Sequence, residues 1–324
     1  MSIKILLTGA DGFVGSALYK VLTRQNHCIT CAVREKKGSA PARNLFGHVC
    51  CFDHLDGRTD FGKALNNIDI VIHLAAHAPQ FPKADPDLQK ECMAVNFEGT
   101  RNLANQASQK GVKRFIFVSS VAVNGKSTEN GVPYTEKDEE APYDWYTISK
   151  LKAEQALREI GKDTGLEIVI IRPPLVYGPG VKANFLKLMH LIHTGLPLPF
   201  KGLKNQRSFI FIDNLADAIA QCAVNDKIKG ETFLVSDDYP LSTPQLVEKI
   251  SIAMGLKPRL FFLPSAVLRR TLSLFKKERI YESLWGNLFV DSTKFKRYTG
   301  WYPKVSIDEG IQKTVQWYLN SQLK

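Results

Sequence analysis

The sequence predicts an α/β fold in which a doubly wound parallel sheet is followed by a smaller C-terminal α/β lobe. Short apolar, β-branched runs recur along the first half of the chain, with helical segments between them. The runs are continuously apolar, which indicates strands that helices cover on both faces. With 324 residues, of which 44% are hydrophobic, the chain is long enough for one large domain or two closely coupled ones.

Strands and helices alternate regularly up to about residue 180. Six runs are predicted strands: IKILLTG, CITCAV, HVCCF, DIVIHLAA, RFIFVSS and EIVIIRPP. Long helices are predicted over about 12–25, 86–110 and 144–162. Beyond Pro179, Pro and Gly become frequent, and a strand (ETFLVS) precedes a helix that begins near Ser242. We therefore expect a large domain over 1–180 and a lobe over 181–324, with some elements of the lobe returning to the large sheet.

Charge and cysteine usage narrow the class of protein. The net charge of +11 is spread along the chain without a recognition signature, so no nucleic acid partner is expected. No apolar run reaches the roughly 18 residues of a membrane-spanning helix and no signal peptide precedes the first strand, so we expect a cytoplasmic protein with reduced thiols. Cys28, Cys31, Cys50 and Cys51 could suggest zinc. Neighbouring side chains of a strand point to opposite faces of the sheet, so the four sulfurs would not converge easily and we expect no metal site.

A glycine-rich turn joins the first predicted strand to the first predicted helix. Gly9, Gly12 and Gly15 are spaced as GxxGxxG within the segment TGADGFVG. The first glycine permits a tight turn, the second lets the backbone approach a pyrophosphate, and the third lets the helix pack on the sheet. Phosphates would lie at the N-terminus of that helix, so the segment predicts a Rossmann-type dinucleotide site.

This glycine spacing resembles the short-chain dehydrogenase/reductase superfamily, which uses a Tyr and a Lys four residues apart. Tyr146 and Lys150 stand in this relation on a segment of helical composition, so both lie on one helix face. Ser120 ends a strand, where α/β sheets place their ligands. A phenol is a poor base at neutral pH. We therefore expect Lys150 to favour the Tyr146 phenolate while Ser120 orients the substrate oxygen.

Later motifs resemble the extended group of the superfamily, which acts on nucleotide sugars, and this likeness covers essentially the whole chain. They are RPPLVYGP, QRSFIFIDNLADAI and DSTKFKRYTGWYP, in the order typical of the group. The cofactor contacts that the resemblance implies, for NAD or NADP, are Gly9, Gly12, Phe13, Val14, Gly15, Arg34, Asp53, Leu74, Ala75, Ala76, Asn96, Tyr146, Lys150 and Pro173. The implied substrate contacts are Ser120, Asn124, Asn184, Phe185 and Arg207. Asn184 and Arg207 would contact the nucleotide diphosphate.

Three positions depart from the usual form of the group. Asn124 stands where UDP-galactose 4-epimerases generally have Tyr, and Leu175 where they have Asn, so the sugar can differ. Arg34 stands where NAD-binding members have an acid after the second strand. Its guanidinium could pair with a 2′-phosphate, which favours NADP(H) or the use of both cofactors.

The resemblance is strongest to UDP-hexose 4-epimerase-like proteins, which implies hydride transfer at carbon 4 of UDP-glucose or a UDP-N-acetylhexosamine in glycan and O-antigen precursor synthesis. An NAD(P)H-dependent reductase of a UDP-4-keto-6-deoxy-hexosamine is the alternative. A dehydratase is disfavoured because Val121 and Ala122 follow Ser120, where dehydratases have Asp-Glu. A non-catalytic nucleotide-binding regulatory protein is a third hypothesis, and the intact Tyr146, Lys150 and Ser120 argue against it.

Two further expectations concern assembly and surface. The predicted helices from about Pro86 and Asp144 resemble the pair that builds a four-helix dimer interface in the superfamily, so a homodimer is expected. The basic and apolar stretch over residues 260–279 is expected to be a helix of the small lobe that covers the sugar site. Weak association with an anionic membrane surface is the alternative for this stretch.

Overall fold

The structure is a computed structural model that describes residues 2–34, 48–78, 86–129, 131–264, 267, 270 and 284–322. The predicted doubly wound sheet is confirmed as seven strands that are all parallel. These strands are β1 (Lys4–Thr8), β2 (Cys28–Arg34), β3 (His48–Phe52), β4 (Ile70–His73), β5 (Arg114–Val118), β6 (Glu167–Arg172) and β9 (Thr232–Leu234), while β7 (Leu175–Tyr177) and β8 (Phe209–Phe211) form a separate parallel pair. β9 lies beyond residue 180 and joins the large sheet, as expected for a returning element.

The strands of the large sheet follow the order β3-β2-β1-β4-β5-β6-β9. The chain therefore builds outwards from β1 in one direction and from β4 in the other. In sheets of this kind ligands bind in the crevice at the carboxyl ends of the strands, where the order reverses. The crevice beside Thr8 of β1 and His73 of β4 is thus the expected ligand site.

Helices flank the sheet and fill the C-terminal lobe. The described helices are α1 (Phe13–Arg24), α2 (Pro86–Cys92), a π-helix (Met93–Gly99), α3 (Thr100–Gln109), α4 (Trp145–Thr164), α5 (Ala183–His193), α6 (Ile212–Val224), α7 (Thr243–Ala253), α8 (Thr293–Thr299) and α9 (Ile307–Gln322). The helix predicted over 86–110 is thus two α-helices joined by a π-helix. Local composition does not distinguish the two helix types, because a π-helix is set by its tertiary contacts.

Successive residues of the large sheet's strands enter cores on opposite faces. Ile5 and Leu7 pack with Leu18 of α1 and Leu215 of α6 on one face of the sheet. On the other face, Leu6 packs with residues of α3 and α4. Both faces are therefore buried, which explains why the strands read as continuous apolar runs. A third core joins β7 and β8 to α5, α7 and α9.

The helix that bears the predicted Tyr and Lys has well-defined ends. Asp144 caps α4: its carboxylate accepts from the backbone N–H of Thr147, and the Thr147 hydroxyl accepts from the Asp144 N–H, a reciprocal capping box. Gly165 ends α4 in the left-handed region at φ +77°. The first turn of α4, which contains Tyr146, is consequently held in place by its own cap.

Two further expectations concern a metal site at the cysteines and a membrane-spanning helix. Cys31 packs in the core beside α1, whereas Cys50 packs in the core on the opposite face of the sheet. Over the described ranges, no group of three or more His, Cys, Asp or Glu residues is arranged to hold a metal ion. None of the described helices is both long and apolar enough to cross a membrane. Most of the basic stretch over 260–279 lies outside the described residues.

Candidate active site

The glycine turn after β1 is closed so tightly that side chains would not fit. Gly9 has φ +68°, and a Cβ there would lie 2.9 Å from the backbone nitrogen of Ala75. A Cβ at Gly15 would overlap the carbonyl oxygen of Gly9, and one at Gly12 would lie 3.0 Å from that same oxygen. Gly12 is also the N-cap of α1 and has no side chain to cap it. The first N–H groups of α1 thus lie at this turn without a capping side chain, which suits a pyrophosphate. We call the turn from Gly9 to Gly15 the glycine cradle.

A buried hydrogen-bond chain fixes the loop that faces this cradle. The Thr8 hydroxyl accepts from the backbone N–H groups of Leu74 and Ala75, both at 3.1 Å, and lies 2.7 Å from His73 Nδ1. His73 Nε2 lies 2.9 Å from the Thr100 hydroxyl, which donates to the carbonyl of Asn96. Each hydroxyl has one proton, so Thr8 donates to Nδ1 and His73 carries its proton on Nε2. Burial lowers the pKa of His73 to about 3, so the ring is neutral.

Asn96 holds the far end of the same loop from the π-helix. Its side-chain oxygen accepts from the His77 N–H at 2.7 Å, and its amide donates to the His77 carbonyl and to the Ser149 hydroxyl, both at 3.0 Å. Ser149 lies next to Lys150 and donates to the carbonyl of Tyr146. Asn96 is fully buried. The described contacts therefore make this predicted cofactor residue a link between the β4 loop and α4.

Tyr146 and Lys150 occupy successive turns of α4, as the spacing predicts. Tyr146 is half-buried, and Lys150 is buried. The Lys150 ammonium donates to the carbonyl of Val118, the last residue of β5, at 2.9 Å and lies 4.4 Å from the centre of the Phe117 ring. Ser120 follows this strand end by two residues, so all three predicted catalytic residues lie at the carboxyl end of β5.

Burial sets the ionisation of both helix residues. It raises the pKa of Tyr146 well above its usual value, and the nearby Asp144, Tyr143 and Cys92 raise it further. It lowers the pKa of Lys150 to about 7, which the Glu154 carboxylate partly opposes. The protein alone thus keeps Tyr146 as a neutral phenol. The expected phenolate requires additional positive charge, such as an oxidised nicotinamide would supply.

Ser120 caps a short 3₁₀ turn, Val121–Val123, and its hydroxyl accepts from the N–H of Ala122. The Val121 N–H donates to the carbonyl of Pro173, a predicted cofactor residue at the end of β6. The preceding Ser119 is buried, and within the described residues its hydroxyl has no hydrogen-bond partner. The hydroxyl proton of Ser120 is not used by this cap, so it can point to a substrate oxygen.

Two predicted substrate residues have their side chains turned into the protein. Asn124 is 1% exposed; its amide oxygen accepts from Arg172 at 3.0 Å and its nitrogen donates to the Thr135 carbonyl. Phe185 is buried and stacks on Tyr177 with ring centres 5.5 Å apart. Both side chains are therefore engaged within the protein, and their contact with a substrate stays a prediction. The sequence could not reveal the contact between Asn124 and Arg172, because Arg172 lies 48 residues further along the chain.

The remaining predicted substrate residues lie in the C-terminal lobe. Asn184 is exposed in the first turn of α5. Arg207 is half-buried and donates to the carbonyl of Gly286 at 3.0 Å. Burial lowers the pKa of Arg207, whereas Tyr143 raises it, so the guanidinium lies within electrostatic range of the residues that precede Tyr146.

Arg34 and Asp53 are exposed at the carboxyl ends of β2 and β3. Phe13, Val14 and Leu74 are partly buried, Ala75 is buried and Ala76 is exposed. Phe13 lies 3.5 Å from the position of a Cβ on Gly180, so the glycine turn contacts the loop after β7. The glycine cradle, the polar strand ends and the lysine near them fit a nicotinamide dinucleotide.

Sequence reasoning missed four polar residues that support the site. They are Thr8, Thr100, Glu154 and Arg172, and each is buried. Thr8 ends β1 beside His73 of β4, a register that the parallel pairing of two predicted strands could have suggested. Glu154 follows Lys150 by one helical turn, which was also a usable signal.

A glycine cradle after β1, with a Tyr and a Lys on successive turns of α4, defines a dinucleotide-dependent enzyme of the short-chain dehydrogenase/reductase type. The chain belongs to the NAD dependent epimerase/dehydratase family, whose model matches residues 5–236. The resemblance to this family and the expectation of an NAD(P) cofactor are thereby confirmed.

Individual relatives agree with this assignment. The chain is 40% identical over 319 residues to a UDP-glucose 4-epimerase of Vibrio cholerae, covering 98% of this chain and 96% of that protein. It is 24% identical over 326 residues to a dTDP-4-dehydro-6-deoxyglucose reductase of Escherichia coli, covering 96% of each chain. The solved UDP-glucose 4-epimerase of Thermotoga maritima has the same fold, with a TM-score of 0.77 and 23% identity over 99% of this chain and 100% of that one.

Proposed function

We propose that the protein is a UDP-hexose 4-epimerase that acts on UDP-glucose or a UDP-N-acetylhexosamine. The observation that carries this proposal is the placement of Tyr146 and Lys150 on successive turns of α4, with Lys150 bound to the strand end that leads to Ser120. The likeness to the Vibrio cholerae UDP-glucose 4-epimerase over 98% of the chain supports the substrate class.

Tyr146 is the proton acceptor and donor in the proposed reaction. Its phenolate takes the proton of the sugar 4-hydroxyl as carbon 4 becomes a ketone, and it returns that proton when the ketone is reduced from the other face. A nicotinamide dinucleotide held at the glycine turn after β1 would supply the hydride acceptor and donor for carbon 4. Because burial raises the pKa of Tyr146, the phenolate needs the positive charges of Lys150 and of the oxidised cofactor.

Ser120 and the lobe orient the substrate. The Ser120 hydroxyl donates to the sugar oxygen at carbon 4 and so stabilises the charge that develops there. Arg207 and Asn184 are proposed to bind the diphosphate, since a guanidinium matches phosphate oxygens in a bidentate manner. Asn124 is proposed to act on the sugar only indirectly, because both ends of its amide are engaged within the protein.

Two experiments test this function. Denaturing the purified protein and identifying the released nucleotide shows whether NAD or NADP is retained; the exposed Arg34 favours NADP(H) or the use of both. Fresh protein is then incubated with UDP-glucose, UDP-N-acetylglucosamine and a UDP-4-keto-6-deoxy sugar, while nicotinamide absorbance and products are followed. An epimerase yields the 4-epimer without net loss of reduced cofactor. Stoichiometric oxidation of NAD(P)H with the keto sugar would identify the reductase instead, and no turnover would favour the regulatory protein.

We also propose a cytoplasmic homodimer built on α4 and on the helical segment Pro86–Gln109, which pack against each other within the chain. Light scattering at micromolar concentration should then give twice the mass of one chain. A single-chain mass would contradict the dimer without affecting the proposed chemistry.

A further inference from the structure

A buried cluster of charges lies directly beneath the proposed catalytic groups. Arg172, the last residue of β6, is 1% exposed and donates through Nε and Nη2 to the two carboxylate oxygens of Glu154, at 3.0 and 2.6 Å. Glu154 is fully buried. Burial alone would lower the pKa of Arg172, but Glu154 and Glu140 raise it overall, so the guanidinium is charged. The charged guanidinium of Arg172 is thus held in the interior against the Glu154 side chain.

The same guanidinium binds two further segments of chain. Nη1 donates to the side-chain oxygen of Asn124 at 3.0 Å, and Nη2 donates to Glu140 at 3.0 Å. Asn124 ends the 3₁₀ turn that Ser120 begins. Glu140 lies in the segment that leads into α4, and the adjacent Ala141 donates its N–H to the carbonyl of Val123. Arg172 therefore contacts the turn that carries Ser120, the entrance to α4 and α4 itself.

α4 is consequently attached to the sheet at two successive turns of one face. Lys150 binds the end of β5 through the Val118 carbonyl, and Glu154 binds the end of β6 through Arg172. Tyr146 lies one turn before this pair of attachments. Fixing a helix at two points one turn apart restricts both its rotation and its translation along the sheet.

We propose that Arg172 is a positioning residue, which sets the distance between Ser120 and Tyr146 by binding Asn124, Glu140 and Glu154 with one planar guanidinium. Arg172 touches neither substrate nor cofactor in this role. It acts through rigidity: the two groups that share the sugar oxygen come from different elements, and a displacement of about 1 Å between such groups can cost about 100-fold in rate. This inference rests on the proposed function for its catalytic readout.

The test compares Arg172→Lys with a matched control in the same sheet. Arg114, the first residue of β5, is 4% exposed and also binds a glutamate through Nε and Nη2, namely Glu167 at 3.0 and 2.8 Å. Lysine keeps the charge in both variants but cannot bridge several segments with a planar fork. Because Arg172→Lys can fail to fold, Asn124→Ala is the milder second variant. It removes the link between Arg172 and the Ser120 turn and the Asn124–Thr135 hydrogen bond, and it leaves the contacts of Arg172 with Glu140 and Glu154 in place.

For each folded variant, kcat, KM, dinucleotide affinity and thermal melting are measured, together with amide exchange in residues 119–124 and 145–155. We expect kcat to fall about 10- to 100-fold in Arg172→Lys and severalfold in Asn124→Ala, with KM and dinucleotide affinity nearly unchanged. Arg114→Lys should lower the melting temperature while kcat stays within twofold. Exchange should quicken in the Ser120 turn and the first turns of α4 only when Arg172 or Asn124 is changed.

Equal losses of kcat in the Arg172 and Arg114 variants would overturn the positioning role, since a general loss of stability would then explain both. Full kcat in both Arg172→Lys and Asn124→Ala would overturn it as well. If the unmodified protein turns over none of the sugars, the proposed function fails. Amide exchange then decides on Arg172 alone, and unchanged exchange in both segments would refute the inference.

Discussion

Arg172 and Arg114 each bind a glutamate through Nε and Nη2, at opposite ends of the parallel sheet, yet their surroundings differ. At the amino end, Arg114 binds Glu167 and the backbone carbonyls of Cys222 and Asn225, all of them structural groups. At the carboxyl end, Arg172 binds segments that lead to Ser120 and Tyr146. A buried pair of this kind is strongly destabilising to break, by about 3–5 kcal/mol, wherever it lies.

The two ends of the sheet also differ in how well their buried charges are compensated. Burial alone would raise the pKa of Glu167, but hydrogen bonds from Lys229 and Arg114 lower it overall, so the charge there is well compensated. At the carboxyl end, burial lowers the pKa of Lys150 to about 7 with only partial compensation by Glu154. The comparison teaches that this sheet has a stabilised end and an end that holds an incompletely compensated charge. A ligand of opposite charge would therefore add the most stabilisation at the carboxyl end.

The largest effect is expected from Tyr146→Phe. Removing the phenolic hydroxyl eliminates the proton acceptor but little contact area, so turnover should fall at least about 100-fold while dinucleotide binding stays nearly intact. Initial rates of epimer formation and a nucleotide titration measure both quantities. Tyr302→Phe is the control, since Tyr302 is 64% exposed and outside the crevice. Activity of the Tyr146 variant within tenfold of the unmodified protein would remove Tyr146 from the mechanism.

A pH dependence of stability should distinguish Lys150 from an exposed lysine. Its pKa is lowered in the folded state, so above pH 7 the unfolded chain holds more protons and the free energy of unfolding rises with pH. Relative to Lys150→Met, the ligand-free protein should gain about 1 kcal/mol per pH unit between about pH 7 and 9 in urea unfolding. Lys113→Met is the control, since the Lys113 side chain is 76% exposed. Parallel curves for the unmodified protein and Lys150→Met would refute the buried-charge argument.

Two glycine variants, Gly15→Ala and Gly165→Ala, distinguish a loss of stability from a loss of dinucleotide binding. The Cβ at Gly15 overlaps the Gly9 carbonyl, and the expected strain of about 1–3 kcal/mol is accompanied by weaker dinucleotide binding. Among the described residues, no atom beyond the local chain lies within 4 Å of a Cβ built at Gly165. Only the left-handed backbone is therefore penalised there, by roughly 1–2 kcal/mol. Chemical denaturation and cofactor titration measure the two effects. Equal cofactor affinity in the two variants would contradict a pyrophosphate site at this turn.

The smallest effect is expected on membranes. If the basic stretch over 260–279 serves the small lobe, flotation with phosphatidylglycerol vesicles should be negligible and equal at low and high salt. The variant Arg269→Glu with Arg270→Glu should behave alike. Salt-sensitive flotation that this double variant abolishes would instead establish a membrane-binding surface.

The sheet and the glycine cradle were predictable because each depends on local pattern. Strands that are buried on both faces require continuous apolar runs. In the turn after β1 the backbone comes so close at three positions that only glycine fits. The Tyr-Lys pair was predictable for the same reason, since four residues bring two side chains onto one helix face.

The surroundings of the predicted site side chains could not be predicted, because they depend on how separate segments pack together. Asn124 was expected to face the sugar, yet Arg172, 48 residues later, engages it in the interior. Phe185 was expected at the substrate, yet it stacks on Tyr177. The neutral, buried state of Tyr146 in the protein alone also depends on the packing around α4.

The π-helix Met93–Gly99 gives this part of the chain an unusual sensitivity to length. A π-helical turn holds one more residue than the α-helical ladder requires, so deleting one residue there would restore a regular helix. That deletion would also turn everything on one side of it by about 100°. Asn96 would then keep at most one of its two contacts, either the one with His77 or the one with Ser149. Length variation among functional descendants of this chain should therefore avoid residues 93–99.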